Sequence, residues 1–148
     1  KTIEEANCNL HKSIAAALSP RRKEYFFAIV LKQSGKLIGS IGYTVEAENE
    51  QGKLVNLGYF IRREYWGMGY TLEAARRLAE FAFIQDNVLK IESGCLKENK
   101  ASEKIMIRLG MRREGELLRH QLHEGAFKDR VIYGLLKDDW MDSTRKKN

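Results

Sequence analysis

The chain has few of the residues that mark linkers, disulfide scaffolds and membrane spans. It has one proline and two cysteines, and no apolar run nears the roughly 20 residues of a transmembrane helix. Cys8 and Cys95 form no Cys-x-x-Cys pair, so we expect free buried thiols in a reducing cytoplasm, with no metal site. No repeat, low-complexity tract or secretory signal is visible. These absences predict a single domain over residues 1–148.

Positive charge is what the chain has in excess. Its formal net charge is +6 at pH 7, and its isoelectric point is near 9.3. This balance favours anionic ligands, either nucleic acid or a polyphosphate cofactor. The basic residues are scattered and are not interleaved with aromatic side chains, so we expect no nucleic acid partner and no membrane partner.

Periodicity and turn residues predict the element order α, β, β, β, α, β, α, β, β. Short turns join the first three strands, which predicts an antiparallel meander, whereas a helix joins the third strand to the fourth, which predicts a parallel pair. The fold class is therefore α+β, with a mixed sheet that is antiparallel at both ends, parallel in the middle and flanked by helices. The predicted helices are 2–18, 71–86 and the segment from Asn99 to Gly110; the strands are 24–31, 37–47, 53–61, 88–95, 111–123 and 127–137; a frayed tail starts near 141.

A glycine turn between the third strand and the central helix is the clearest functional signal. It reads Trp66-Gly67-Met68-Gly69-Tyr70-Thr71. Glycines let the backbone approach a ligand, and the first turn of a helix offers free N–H groups and a positive dipole end, so a phosphate or pyrophosphate is the expected guest. A loop without a ligand is the alternative. The lysine of a Walker A loop is missing, and the dinucleotide fingerprint would need a glycine at Leu72.

Residues 64–74 resemble the corresponding stretch of the GNAT acetyltransferases, in particular the ribosomal-protein N-terminal (Rim-type) branch. The segment reads Glu-Tyr-Trp-Gly-Met-Gly-Tyr-Thr-Leu-Glu-Ala. Asn99-x-x-Ser102 and Leu109-Gly110-Met111 are similar to that branch's later motifs, and the resemblance covers about residues 24–140. The chain departs from the pattern at Trp66, where Gln or Arg is usual, and at Thr71, where Gly or Ala is usual. No counterpart of the family's first strand is recognised.

The resemblance implies an enzyme that moves the acetyl group of acetyl-CoA to a primary amine by direct attack in a ternary complex. The acceptor would be a protein or peptide N-terminal α-amine or a small-molecule amine, no metal is implied, and a homodimer is possible. It also implies a set of positions that bind the cosubstrate: Phe60, Ile61, Trp66, Gly67, Met68, Gly69, Tyr70, Thr71, Asn99 and Ser102. Basic residues near the loop are candidates to meet the CoA phosphates: Arg62, Arg63, Arg76, Lys104 and Arg108.

The catalytic residues are less well defined by the resemblance. Many GNAT enzymes carry a tyrosine that protonates the CoA thiolate, but Met106 occupies that position and cannot donate a proton. Ser102 is the nearest hydroxyl and is the candidate to assist the thiolate. His123, which shares a strand face with Gln121, is a candidate general base because histidine titrates near neutrality. Glu92, acting through water, is the other candidate.

The sequence is also consistent with two rival functions. One is an acetyltransferase for a polyamine or an antibiotic amine, which the net charge of +6 disfavours unless Glu46, Glu48 and Glu50 form an acidic rim. The other is a non-catalytic acyl-CoA-binding sensor, which the loss of the tyrosine at Met106 favours.

Overall fold

A computed structural model describes residues 14–15, 17–19 and 22–145. Residues 14, 15, 17 and 18 are helical, and the rest of the predicted first helix lies outside the described residues. Six strands and three α-helices follow in the described part of the chain. They are β1 (Glu24–Val30), β2 (Leu37–Asn49), β3 (Gly52–Ile61), α1 (Tyr70–Ile84), β4 (Val88–Leu96), α2 (Lys100–Leu109), β5 (Arg112–His123), β6 (Ala126–Leu136) and α3 (Lys137–Arg145), with a 3-10 turn over Arg63–Tyr65.

The strands form a single mixed sheet in the order β1-β2-β3-β4-β6-β5. The β3–β4 pair is parallel, and the other neighbours are antiparallel. The parallel pair has its physical cause in the α1 crossover, because parallel strands cannot be joined by a tight turn. The predicted fold class is therefore confirmed.

One face of the sheet is covered by α1 and α2. On β3, Val55 and Leu57 are buried against this helical layer, and Tyr59 packs against its edge. Side chains alternate along a strand, so Asn56 and Gly58 point to the opposite face. The predicted buried stripe of α1 is confirmed, since all of its members are in the core: Leu72, Ala75, Leu78, Ala79 and Ala82. No helix among the described residues is long and apolar enough to cross a membrane.

The C-terminal segment differs from its prediction. Residues 137–145 form α3, so the predicted fraying from about 141 is wrong over the described part of that tail. The ring of Trp140 packs on Phe83 of α1 with centroids 5.4 Å apart, and Asp139 accepts a 2.9 Å hydrogen bond from Arg112. A polar segment is helical here because one large aromatic side chain anchors it to the core.

A polar network fixes the end of α1 to the sheet. The Tyr43 hydroxyl donates to Oδ2 of Asp86 at 2.6 Å, and Nζ of Lys53 lies 2.6 Å from Oδ1 of the same carboxylate. Burial, and then the hydrogen bond to Asp86, raises the pKa of Tyr43 far above its usual range. The network lies at the end of the sheet away from the glycine turn, because β3 begins at Gly52 and runs toward that turn.

Candidate active site

The sheet opens into a fork between its two parallel strands. The β3–β4 pairing stops at Asn56 and Glu92, although β3 continues to Ile61 and β4 to Leu96. The outer edge of each arm remains paired, β3 with β2 and β4 with β6. At the apex, the Ser93 hydroxyl bridges the two strands by donating to the Leu57 carbonyl at 3.0 Å. Beyond this bridge, the facing backbone edges have no strand partner. Two of their carbonyls accept side-chain hydrogen bonds, Ile61 from Trp66 and Gly94 from Nη2 of Arg130, each at 2.9 Å, and the remaining groups can pair with a ligand that carries amide groups.

The predicted anion loop joins the outer end of this fork to α1. Gly67 has φ +74° and Gly69 has φ +86°, and a Cβ added to either would meet nothing within 4 Å. Glycine is therefore required by the left-handed backbone rather than by lack of space. Gly69 is the N-cap of α1 and no side chain caps this helix end, so its first-turn N–H groups are available to an anion.

The side chains around the loop are largely exposed. Phe60 is 66% exposed, and Trp66 and Met68 are each 60% exposed. The Trp66 indole folds back on the loop, because its Nε1 donates to the Ile61 carbonyl at 2.9 Å. Thr71 is buried inside the first turn of α1, and because Gly69 occupies the N-cap, Thr71 does not cap the helix.

Five basic residues predicted to meet phosphates are exposed and form no salt bridge among the described residues. They are Arg62, Arg63, Arg76, Lys104 and Arg108. Arg63 lies over the Trp66 ring, with Cζ 6.0 Å from the ring centroid. Their charges are therefore not neutralised by neighbouring carboxylates. Among the described residues there is also no group of three or more metal-ligating side chains.

The N-terminal turn of α2 forms the other wall of the fork. Oδ1 of Asn99 accepts from the Ser102 N–H at 3.1 Å, which confirms the predicted cap, and Gly110 with φ +97° ends the helix as predicted. The Ser102 carbonyl accepts from the Tyr59 hydroxyl at 3.2 Å. Met106 is only 1% exposed and belongs to the core. The structure therefore brings Asn99 and Ser102 to the fork and keeps Met106 out of it.

Two strand residues whose side chains contact this turn, Tyr59 of β3 and Cys95 of β4, have raised pKa values. Burial raises the pKa of the Tyr59 hydroxyl. Burial also raises the pKa of the Cys95 thiol, whose Sγ donates to the Asn99 carbonyl at 3.6 Å. Cys95 is free and buried, as predicted, while Cys8 lies outside the described residues. Sequence reasoning missed Tyr59, although its place two residues after Leu57 puts it on the helical face of β3.

A charged cluster lies at the apex of the fork on the open face of the sheet. Nζ of Lys90 is 2.8 Å from Glu92 and 2.8 Å from Glu114. Hydrogen bonds to Glu114 and then Glu92 raise the pKa of Lys90. Gly134 pairs with Glu92 across β4 and β6, and the Glu114 carboxylate occupies the space that a side chain at Gly134 would fill. Glu92 is therefore held at the position where β3 and β4 separate.

His123 lies far from that apex. It pairs with Ala126 at the tip of the β5–β6 hairpin, eight residues along β6 from the Gly134 that faces Glu92, which is about 26 Å of strand. Its Nε2 is 3.9 Å from Glu124. Gln121, predicted on the same face, instead accepts from Nη1 of Arg130 at 2.8 Å. Among the described residues, no hydrogen bond or ion pair joins His123 to Ser102.

Comparison with known proteins identifies the family and the fold. A family model described as "Acetyltransferase (GNAT) domain" matches residues 1–112. The chain belongs to the GNAT acetyltransferase family. "Uncharacterized N-acetyltransferase p20" of Bacillus licheniformis is 30% identical over 114 residues, which span 77% of this chain and 63% of that protein. The "[Ribosomal protein uS5]-alanine N-acetyltransferase" of Escherichia coli is 29% identical over 84 residues, 57% of this chain and 43% of that protein.

Solved GNAT structures agree with this assignment. The ribosomal-protein-S5-alanine acetyltransferase of Vibrio fischeri superposes with a TM-score of 0.73 and 25% identity, covering 91% of this chain and 69% of that one. A mutant spermidine N-acetyltransferase SpeG of Vibrio cholerae gives 0.82 and 20% identity, covering 97% and 80%. At that identity the spermidine enzyme shows the shared GNAT fold alone. Because this chain spans less than two thirds of p20, the substrates of the relatives do not transfer directly.

Proposed function

We propose that this chain transfers the acetyl group of acetyl-CoA to a primary amine, most specifically to the α-amine of a protein or peptide N-terminus. The observation that carries the proposal is the end of β3–β4 pairing at Asn56 and Glu92, which leaves a free backbone edge leading to an uncapped helix start. A ligand with amide groups at one end and a pyrophosphate at the other complements both features.

The residues divide this work along the length of the fork. The backbone of Gly67 to Thr71 binds the pyrophosphate, and Trp66 and Met68 flank it. The edge of β3 that faces the fork, at Tyr59 and Ile61, pairs with the pantetheine amides. Phe60, whose backbone is paired with Ser40 of β2, flanks the arm with its exposed side chain, and Asn99 and Ser102 contact the arm from the α2 side. When bound, acetyl-CoA supplies the acetyl thioester. The exposed and unpaired basic residues around the loop add electrostatic attraction to its phosphates.

An N-terminal α-amine is the acceptor that the observations favour. Its ordinary pKa of about 7.7–8.0 leaves part of it neutral at physiological pH, whereas a lysine amine has a pKa of about 10.4. The ribosomal-protein relatives reach 25–29% identity. The residues of the acidic rim that a polycation would need, Glu46, Glu48 and Glu50, lie at the end of β2 and in the β2–β3 turn, where Glu48 is 3.9 Å from the ammonium of Lys53.

The second candidate is a non-catalytic acyl-CoA sensor. It is favoured by one observation, the burial of Met106 in the core where many GNAT enzymes place their proton-donating tyrosine. A direct assay separates the two functions. The protein is mixed with acetyl-CoA and with a peptide N-terminus, a polyamine or an aminoglycoside, and release of free CoA thiol is followed.

We expect thiol release with the peptide. Thiol release only with a polyamine or an aminoglycoside would show that the acceptor is that amine and not a peptide N-terminus. Binding of acetyl-CoA without release on any amine would identify the sensor, and failure to bind CoA would overturn the proposal. The same assay with propionyl-CoA in place of acetyl-CoA measures how narrowly the fork accepts the acyl group.

Substitution of the loop glycine tests the binding site itself. Gly69→Ala forces a left-handed φ on alanine and adds a methyl group where phosphates approach. We therefore expect the Kd for CoA to rise at least about tenfold, which is equivalent in free energy to losing about one charge-assisted hydrogen bond. Gly35→Ala is the matched control, because Gly35 has φ +66° with nothing within 4 Å of an added Cβ and lies in the β1–β2 turn. Isothermal titration should show unchanged affinity for Gly35→Ala; equal weakening in both variants would remove the loop from the site.

A further inference from the structure

The fork contains the hydroxyl of Tyr59, which has no role yet in the proposed binding of acetyl-CoA. Tyr59 lies on β3 three residues beyond the last β3–β4 pair, at Asn56. Its ring packs at the edge of the helical layer, and its hydroxyl reaches the first turn of α2 at the Ser102 carbonyl, 3.2 Å away. Because α2 follows β4, this contact connects the two arms of the fork on the helical side.

The partner of this hydroxyl can release it at small cost. Ser102 lies inside α2, and a helical carbonyl accepts a hydrogen bond from the N–H four residues later. The Ser102 carbonyl therefore keeps a backbone donor when Tyr59 turns to another acceptor. In contrast, the Ser93 hydroxyl is committed to the backbone of Leu57 at the apex.

We propose that Tyr59 is the proton donor to the CoA sulfur. It would take the role of the tyrosine that many GNAT enzymes carry at the position of Met106, and this inference rests on the proposed function. An arm laid along the free edge of β3, from the glycine loop toward the apex, passes the Tyr59 hydroxyl before it reaches Leu57. Met106 is in the core, so it cannot serve. Burial raises the pKa of Tyr59, which keeps its hydroxyl protonated at neutral pH.

The proton and electron balance of the step is complete with water as the proton carrier. The amine nitrogen forms a bond to the carbonyl carbon, and the carbon–sulfur bond breaks with its electron pair on sulfur. The Tyr59 O–H proton passes to sulfur and gives free CoA thiol. The proton lost by the acylated nitrogen passes through the general base or a water molecule to solvent, and the Tyr59 phenolate regains a proton from water.

Tyr59→Phe keeps the ring and removes only the hydroxyl. We expect kcat to fall by about 100-fold, as for loss of a general acid, while the Kd for CoA changes less than about twofold because the ring packing is kept. With the selenoester analogue of acetyl-CoA, the kcat of Tyr59→Phe should be nearly that of the wild type, because a more acidic leaving group departs without protonation. Ser102→Ala, which keeps the carbonyl, should cost less, about tenfold.

A binding measurement tests the same contact without turnover. Ultraviolet absorbance of the thiolate reports the ionisation of bound CoA, and we expect its pKa to be higher by about one unit in Tyr59→Phe, since a hydrogen bond to the thiolate favours the charged form. Tyr25→Phe is the matched control, because that ring stacks on Tyr43 with centroids 5.0 Å apart and lies on β1. It should match the wild type in every assay.

The outcomes separate this inference from the proposed function. An active wild type with an unchanged Tyr59→Phe variant, or an equal loss with thioester and selenoester, overturns the role of Tyr59 alone. If the wild type binds CoA but transfers no acetyl group, the thiolate titration still tests the role of Tyr59. In that case, an equal pKa of the bound CoA thiol in the wild type and in Tyr59→Phe overturns the inference. A wild type that binds no CoA overturns both proposals.

Discussion

Glu92 and His123 are the two candidates for the group that accepts a proton from the attacking amine, and their positions differ sharply. Glu92 is held by Lys90 at the apex of the fork, whereas His123 lies at a hairpin tip with its side chain 44% exposed. A base must come within hydrogen-bond reach of the amine, directly or through one water. The geometry therefore favours Glu92, and His123 can act only on an acceptor that extends to the tip.

The pH dependence of turnover distinguishes the two residues. We expect Glu92→Gln to lower kcat/KM by about 100-fold near neutral pH, and by less above about pH 8, where an α-amine is already neutral. Glu114→Gln is the matched control, since Glu114 shares Lys90 with Glu92 but is not assigned to the reaction. Loss of the acidic limb in His123→Ala, with Glu92→Gln unchanged, would transfer the role to His123.

Individual residues were predictable from sequence where a local rule governs them. Asn99 and Gly110 follow the rules for helix ends. Gly67 and Gly69 were expected from the close approach of the backbone to a ligand, whereas in the structure their left-handed φ angles require glycine. Tyr59 was not predictable, because its importance depends on where the pairing of two strands stops. That is set by the twist and separation of β3 and β4, which no local pattern records.

At the scale of elements, α1 must be held at both ends for its first turn to face the fork. Its buried stripe packs on the sheet, and the loop after it is fixed by Asp86, which bonds both Tyr43 and Lys53. Burial alone would lower the pKa of Lys53, but its hydrogen bond and charge interaction with Asp86 raise it. A lysine with a raised pKa stabilises the fold below its unfolded pKa, and this contribution is lost only as pH rises through the folded value.

Removing the shared acceptor should destabilise the whole fold. Asp86→Ala leaves the Tyr43 hydroxyl and the largely buried Lys53 ammonium without a partner, so we expect a loss of about 2–4 kcal/mol at pH 7. Urea unfolding followed by circular dichroism measures it. Glu80→Ala is the control, because its pair with Arg77 on α1 is exposed and should contribute less than about 0.5 kcal/mol. Equal midpoints for the two variants would show that the network has no structural role.

Elements were predictable where hydrophobic period and turn residues agree, as in the three-strand meander and in α1. The C-terminal helix α3 was not, because it is short and polar and its stability comes from one contact, Trp140 on Phe83. Hydrophobic periodicity reports only on residues close in sequence, so it cannot predict a contact between residues this far apart. Tertiary packing decided the structure of this segment against its weak local preference.

At the scale of the whole molecule, salt bridges neutralise only part of the positive charge of the described chain. Several cations elsewhere in the described chain are paired with carboxylates, such as Lys90, Lys97 and Arg112. The five candidate phosphate-binding residues, which lie before the loop (Arg62, Arg63), on α1 (Arg76) and on α2 (Lys104, Arg108), form no such pair among the described residues. An excess of unpaired charge near one site attracts a polyanion and raises its association rate, and this attraction is screened by salt.

Salt should therefore weaken CoA binding through the phosphates. We expect the Kd for CoA to rise roughly tenfold when the NaCl concentration increases from about 0.05 M to about 0.5 M, because the Debye length shortens severalfold. Pantetheine carries no phosphate, so its affinity should change by less than about twofold over the same range. Equal salt dependence for the two ligands would show that the basic residues do not contact phosphate.

Two adjacent arginines on α1 provide the sharpest comparison. Arg76 has no carboxylate partner among the described residues, whereas Arg77 is paired with Glu80, and both side chains are exposed. We expect Arg76→Gln to weaken CoA binding severalfold at low salt and to flatten its salt dependence, since one unscreened charge is removed. Arg77→Gln has the same change in net charge but should leave both quantities unchanged. Equal effects in the two variants would mean that overall charge, rather than charge placed beside the loop, attracts the cosubstrate.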